Sequence, residues 1–217
     1  MMLLSSSCKV EKDLNKWNKL RYSVHSLYYD QLVGSMEKGR KHALEVLAPG
    51  DFDRILIIGA GTGLDLKYLK ETQEITAIDI TPAMITRLKN RNKKLQLNIT
   101  AMVMDGHKLE FEDNSFDCVI LNLILTVITD PKRCIAETER ILKPGGKVVV
   151  FDKFLGDGKY PSALRKLVNV ISRFFFSEIN RRFSDILVES NLKVEIVQPS
   201  LFGGLFKIFR LRKLNYK

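Results

Sequence analysis

Apolar residues along this chain follow two alternating rhythms. From about Arg54, short β-branched runs give way to stretches in which apolar positions recur every three or four residues. "RILIIG", "EITAID", "NITAMVMD", "FDCVILN" and "KVVVFDKF" read as strands. "LDLKYLKET", "PAMITRLKNRNKK" and "DPKRCIAETERILKPGG" read as helices, the second with Pro82 in its first turn, the third ended by Pro144 and two glycines. Strand and helix in alternation imply a mostly parallel sheet covered on both faces. Ligands in such sheets bind at the carboxyl ends of the strands. Gly59 to Gly63, Asp79, Asp105, Asn122 and Asp152 all fall at that edge.

The flanks have a different pattern. In "VEKDLNKWNKLRYSVHSLYYDQL" the positions Val10, Leu14, Trp17, Leu20 or Arg21, Val24 and Leu27 recur at helical spacing with lysines between them, the mark of a basic amphipathic helix or helix pair. "PSALRKLVNVISRFFFSEINRRFSDILVES" is helical, basic and rich in Phe. Phe174, Phe175 and Phe176 cannot all face one side of a helix. "LKVEIVQPSLFGGLFKIFRLRK" reads as two strands joined at a Gly-Gly turn. No internal repeat or low-complexity linker divides the chain, and 217 residues with 45% hydrophobic content suffice for one core. One domain is expected over residues 1–217: an N-terminal helical segment (1–50), a core (51–153), and a helical insertion with a closing strand pair (154–217).

Several classes are disfavoured. The longest apolar run, "CVILNLILTVI", has 11 residues, short of a membrane span, and "MMLLSSSCKV" lacks the basic start of a secretory signal. Three cysteines, Cys8, Cys118 and Cys134, form neither an even framework nor a zinc spacing, so no metal site and a reduced, cytoplasmic setting are expected. The excess of 35 basic over 25 acidic residues gives a net charge of +10, which suits an anionic partner such as a lipid surface or nucleic acid.

The glycine loop narrows the ligand. A dinucleotide fingerprint places its third glycine three residues after the second, whereas Gly59, Gly61 and Gly63 are evenly spaced and Leu64 stands where that glycine would be. Gly59 and Gly61 allow a sharp turn off the strand and close approach of a ligand to backbone, and a following helix would offer its unpaired N–H groups. Asp79 ends the second strand 20 residues after Gly59, where a carboxylate can accept hydrogen bonds from both ribose hydroxyls. Asp105, in "VMDGHKL", lies within reach of an adenine whose exocyclic amine needs an acceptor. Together they outline an adenosine pocket.

Over roughly residues 52 to 153 the set "ILIIGAGTG", "AIDITPAMI", "VMDGHKLEFEDNSFDCVI" and "RILKPGGKVVVFD" resembles the class I S-adenosylmethionine-dependent methyltransferases. The resemblance implies an α/β fold with a Rossmann-like, doubly wound sheet of seven strands, mostly parallel with an antiparallel C-terminal strand, and an N-terminal helical extension. It implies that the loop of Gly59, Gly61 and Gly63 holds the amino-acid part of S-adenosylmethionine, that Asp79 binds ribose and that Asp105 lies by adenine. Ala60, Ile80, Gly106 and Asn122 belong to the same cofactor-binding set.

The flanks, "RYSVHSLYYDQLVGSMEKGRKHALEVL" and "FGGLFKIFRLRK", are similar to soluble bacterial phosphatidylethanolamine N-methyltransferases, relatives of the ubiquinone and menaquinone C-methyltransferases. That similarity implies methylation of a phospholipid amine, with a quinone precursor or other small molecule as the alternative acceptor. The basic helix around Trp17 then lies on an anionic membrane or folds over the site as a lid, and both roles are compatible. Tyr28 and Tyr29 match the region that closes over cofactor and substrate. His25, Tyr22, Asp30, His107 and Asp152 complete the candidates for accepting the proton of an ammonium acceptor. A nucleic acid substrate is disfavoured: "LNLILT" lacks the Asn-Pro-Pro or Asp-Pro-Pro turn of base-amino methylation, no Pro-Cys pair is present, and no RNA-binding module is recognisable.

Overall fold

A computed structural model of the chain describes residues 36–155 and 180–215. The expectations placed on Trp17, Tyr22, His25, Tyr28, Tyr29, Asp30 and Phe174 to Phe176 lie outside those residues. In chain order the elements are α1 (Glu37–Leu47), β1 (Arg54–Ile58), β2 (Glu74–Asp79), α2 (Pro82–Leu95), β3 (Ile99–Val103), β4 (Phe116–Asn122), α3 (Pro131–Ile141), β5 (Leu142–Lys153), α4 (Phe183–Leu187), β6 (Leu192–Pro199) and β7 (Phe206–Lys213). They build one seven-stranded sheet in the order β3-β2-β1-β4-β5-β7-β6. Strands β1 to β5 are parallel, while β7 runs antiparallel between β5 and β6. The sequence expectation of a mostly parallel seven-stranded sheet with an antiparallel C-terminal end holds.

The central strands are apolar on both sides because both faces are covered. On one face Ile55, Ile57, Ile120, Val149 and Phe151 pack with α1; on the other Leu56, Ile58, Val119, Leu121 and Val150 pack with α3 and α4. Helix α1 lies very close to β5. A Cβ on Gly39 would come within 2.2 Å of Phe151 Cζ, so glycine is what lets this helix seat on the ring.

Three expectations are corrected. "LDLKYLKET" is a series of turns with one short 3₁₀ segment, Leu66–Tyr68, in place of a helix. A single 3₁₀ turn is enough to bury Leu66 and Leu69, three residues apart, while Asp65 is drawn into a buried ion pair with Arg40. The chain also enters β5 directly from α3, so Pro144 and the glycines lie inside the strand, next to a register shift between Phe116 and Cys118. Finally, the helical reading of the basic Phe-rich stretch fails at Arg182, whose backbone is extended; within the described part only Phe183–Leu187 is helical.

Candidate functional site

The strand ends enclose a cleft between two walls. On the first, Gly59, Gly61 and Gly63 have φ of +69°, +54° and +80°. Alternate residues of the loop thus occupy the left-handed region, which side chains with a Cβ enter at a cost of roughly 1–2 kcal/mol each. At Gly59 a Cβ would also lie 2.6 Å from Ile124 Cδ1 on the opposite wall. The even glycine spacing therefore encodes the backbone path.

The loop is fastened to β2. Ala60 N–H donates to Ile78 O at 2.9 Å, and Gly63 N–H closes a turn on Ala60 O at 3.0 Å. Gly61 N–H donates to Asp79 Oδ2 at 2.9 Å, while Thr81 N–H donates to Asp79 Oδ1 at 2.8 Å. Each carboxylate oxygen has a further lone pair, so Asp79 can brace the loop and still accept from a ligand. Burial raises its pKa, opposed by hydrogen bonds from Thr81 and Gly61.

The second wall follows β4. Leu123 has φ +60° and is held there by its N–H donating to Phe151 O at 2.7 Å. The segment beyond it is irregular and is clamped by side chains from distant parts of the chain. Buried Asp152 accepts from Thr126 N–H at 3.0 Å and from Thr126 Oγ1 at 2.7 Å. Arg181 Nη1 donates to the carbonyls of Leu125 and Ile128 at 2.6 and 2.7 Å. His107 Nε2 accepts Asp130 N–H at 3.1 Å and meets the Thr129 hydroxyl at the same distance. Burial pushes the Asp152 carboxyl pKa up, and the Thr126 hydroxyl bond opposes it most.

Among the residues singled out by sequence, Gly59, Gly61, Asp79, Ile80, Asp105 and Gly106 line the cleft. Ala60 and Gly63 shape the turn behind it. Asp105 lies in the loop two residues beyond β3 rather than at the strand's last residue. Asn122 stands apart from the cleft lining: it is buried, its Nδ2 donates to Asp65 Oδ1 at 2.9 Å, and Asp65 Oδ2 accepts from Arg40 Nη1 at 2.8 Å. The helix expected to present free N–H groups after the glycine loop is replaced by the turns described above. At the cleft the glycine loop therefore offers its own backbone rather than a helix N-terminus.

Sequence reasoning missed the apolar part of the cleft, Met84, Met104, Val127 and Ile128, and the clamp residue Arg181. Met84 follows helical periodicity and was legible only as core. Nothing in the local sequence marks Arg181.

The lining combines an apolar slot, two acceptor carboxylates and a backbone turn with close access, features that suit a nucleoside carrying a polar tail. Thr81 adds a buried hydroxyl at the cleft, beside the Asp79 carboxylate. A nucleoside-cofactor protein of doubly wound architecture is the class these features define.

Comparison with known proteins specifies the class further. Residues 56–150 match the family model described as "Methyltransferase domain". The chain is 27% identical over 189 residues to a phosphatidylethanolamine N-methyltransferase from Cereibacter sphaeroides, covering 85% of this chain and 92% of that protein. It is 35% identical over 112 residues to a demethylmenaquinone methyltransferase from Tropheryma whipplei (strain Twist), covering 51% of this chain and 46% of the relative. The chain thus spans about half the length of that quinone-methylating relative. Among solved structures, geranyl diphosphate C-methyltransferase from Streptomyces coelicolor A3(2), in complex with Mg2+, geranyl diphosphate and S-adenosyl-L-homocysteine, superimposes with a TM-score of 0.67 at 14% identity, covering 81% of this chain and 80% of that one. The methyltransferase domain at residues 56–150, the relatives and the structural neighbours together support a class I S-adenosylmethionine-dependent methyltransferase, with S-adenosylmethionine as its cofactor.

Proposed function

We propose that this methyltransferase acts on the amine head group of a phospholipid of the phosphatidylethanolamine type, with the cofactor in the cleft between the two walls. The observation that carries the acceptor is the extent of similarity: 85% of this chain aligns with a phosphatidylethanolamine N-methyltransferase, flanks included. The net charge of +10 is in keeping with an anionic lipid surface. Among the described residues no helix is long and apolar enough to cross a membrane, and the proposed contact is peripheral.

In this reading Asp79 receives the ribose hydroxyls, Asp105 the adenine amine, and Ile80, Met104 and Ile128 enclose the ring. The backbone at Gly59, Gly61 and Gly63 holds the amino-acid end. Bound S-adenosylmethionine supplies an electrophilic methyl group on a sulfonium. The chain's own task is to hold acceptor and cofactor in line and to keep water out.

An alkylammonium acceptor has no lone pair until it loses a proton. His107 and Asp152 are poorly suited to take it, because both ring nitrogens of His107 are engaged and Asp152 already accepts from Thr126 and from Lys153 N–H. Tyr22, His25, Tyr28, Tyr29 and Asp30 remain the candidates for that role, and Tyr28 and Tyr29 those for closing the site.

A quinone precursor is the second reading. It is favoured by the higher identity, 35%, to the demethylmenaquinone methyltransferase, although that match reaches only about half of either chain. Mass spectrometry of total lipids from a phosphatidylethanolamine-containing host expressing the chain, beside the Asp79→Ala variant, separates the two. Methylated phosphatidylethanolamine appearing only with the intact chain supports the phospholipid. An unchanged profile, with cofactor binding verified on the purified protein, moves the acceptor to a quinone or another small molecule.

A further inference from the structure

His107 is a cleft residue whose ring is almost wholly enclosed, with 5% of the side chain exposed, and its hydrogen bonds fix its tautomer. Nε2 faces the backbone N–H of Asp130, a group that can only donate, so the lone pair of the ring points there. The ring proton is therefore on Nδ1, and it lies 2.6 Å from Asp105 Oδ1. The same Oδ1 accepts the backbone N–H of His107 at 3.0 Å. One oxygen of the cleft carboxylate thus receives two N–H groups from one residue, and that residue is tethered through its other nitrogen to the start of α3. Asp105 keeps 38% of its side chain exposed where it lines the cleft.

A pinned carboxylate has a consequence for the base it meets. A 6-amino purine offers an N–H donor at C6. A 6-oxo purine offers a carbonyl there and an N–H at N1 instead. A carboxylate able to swing could follow the displaced donor, whereas one held by two bonds on Oδ1 stays aimed at C6 and meets the carbonyl oxygen with like polarity. Sites that aim a fixed acceptor at one substrate N–H discriminate against the analogue that lacks it.

We propose that His107 is the positioning residue that orients Asp105 and so gives the cleft its selectivity for adenine over hypoxanthine. The proposal rests on the placement of adenine against Asp105 under the proposed function, and the test separates the two. Isothermal titration of the full chain with S-adenosylhomocysteine and with its deaminated counterpart, S-inosylhomocysteine, gives a ratio of affinities from which any loss of folded protein cancels.

The wild-type ratio is expected at about 100, falling to about 5 in His107→Phe, which keeps a flat ring but has no N–H. His107→Asn carries an amide N–H near the position of Nδ1 and restores most of the ratio, a rescue that a purely structural role would not give. Asp105→Asn, whose amide can turn to donate or accept, brings the ratio close to 1. A wild-type ratio retained by His107→Phe but lost by Asp105→Asn overturns the role of His107 and leaves adenine at Asp105. A ratio unchanged in Asp105→Asn, or near 1 in the wild type, overturns the adenine placement and the proposal with it.

Discussion

The two walls of the cleft are held in place by opposite routes. The glycine-loop wall is held by backbone geometry within a short stretch: three left-handed glycines, hydrogen bonds to Ile78 and Asp79, and the end of β2 beside it. The wall after β4 has little regular structure and is held by Asp152, His107 and Arg181, which come from three separate places in the chain. The first wall can be written as a motif because its constraints are local. The second cannot, since each clamp depends on a tertiary arrangement that neighbouring residues do not signal.

The largest effect on this contrast is expected from Asp152→Ala. It strands buried donors at Thr126 and Lys153 and frees the second wall, at a cost of roughly 3 kcal/mol. Thermal unfolding should show a melting temperature lower by about 6–12 °C. A shift under about 2 °C would mean that the wall is held by something other than this carboxylate.

Gly59→Ala should follow at about 2–3 kcal/mol, combining left-handed strain with a contact that forces Ile124 to move. Denaturant unfolding measures it. Since the two walls touch at this point, cofactor affinity should fall along with stability.

Asp79→Asn should leave the fold intact but turn an amide N–H toward the backbone N–H of Gly61 or Thr81. Titration with S-adenosylhomocysteine should show affinity lower by about 10- to 100-fold, or roughly 1.4–2.7 kcal/mol. In the wild type, burial holds the Asp79 pKa above the ordinary aspartate value, so loss of affinity on acidification should set in above the usual carboxylate range. The sign for stability follows the same shift. The free protein takes up this proton more readily folded than unfolded, so the contribution of Asp79 is full below the ordinary value and is lost as pH rises through the raised one. A pH profile of affinity that is the same in Asp79→Asn would remove Asp79 as its origin.

Arg181→Met is expected to be the mildest, about 1–2 kcal/mol, because the groups it leaves behind are neutral carbonyls and no buried charge loses its partner. The KM for S-adenosylmethionine should rise several-fold with kcat little changed. An equal fall in kcat would place Arg181 closer to the chemistry than the second wall.

Legibility in the sequence followed the same division. The strands "EITAID" and "FDCVILN" fall on β2 and β4 residue for residue, since β-branched runs buried on both faces leave little choice of conformation. The helix expected in "LDLKYLKET" failed because burial of Asp65 against Arg40 and Asn122 overrode local propensity. Asn122 shows the limit at the site itself. It ends β4 as its position in the pattern suggests, yet its side chain turns away from the cleft to Asp65, a partner that only the fold brings beside it.

A competition assay with the purified chain tests the central claim most directly. Methyl-labelled S-adenosylmethionine would be supplied with vesicles carrying phosphatidylethanolamine and demethylmenaquinone together. The account predicts label in mono-, di- or trimethylated phosphatidylethanolamine, lost in Asp79→Ala. Label confined to the quinone would contradict it.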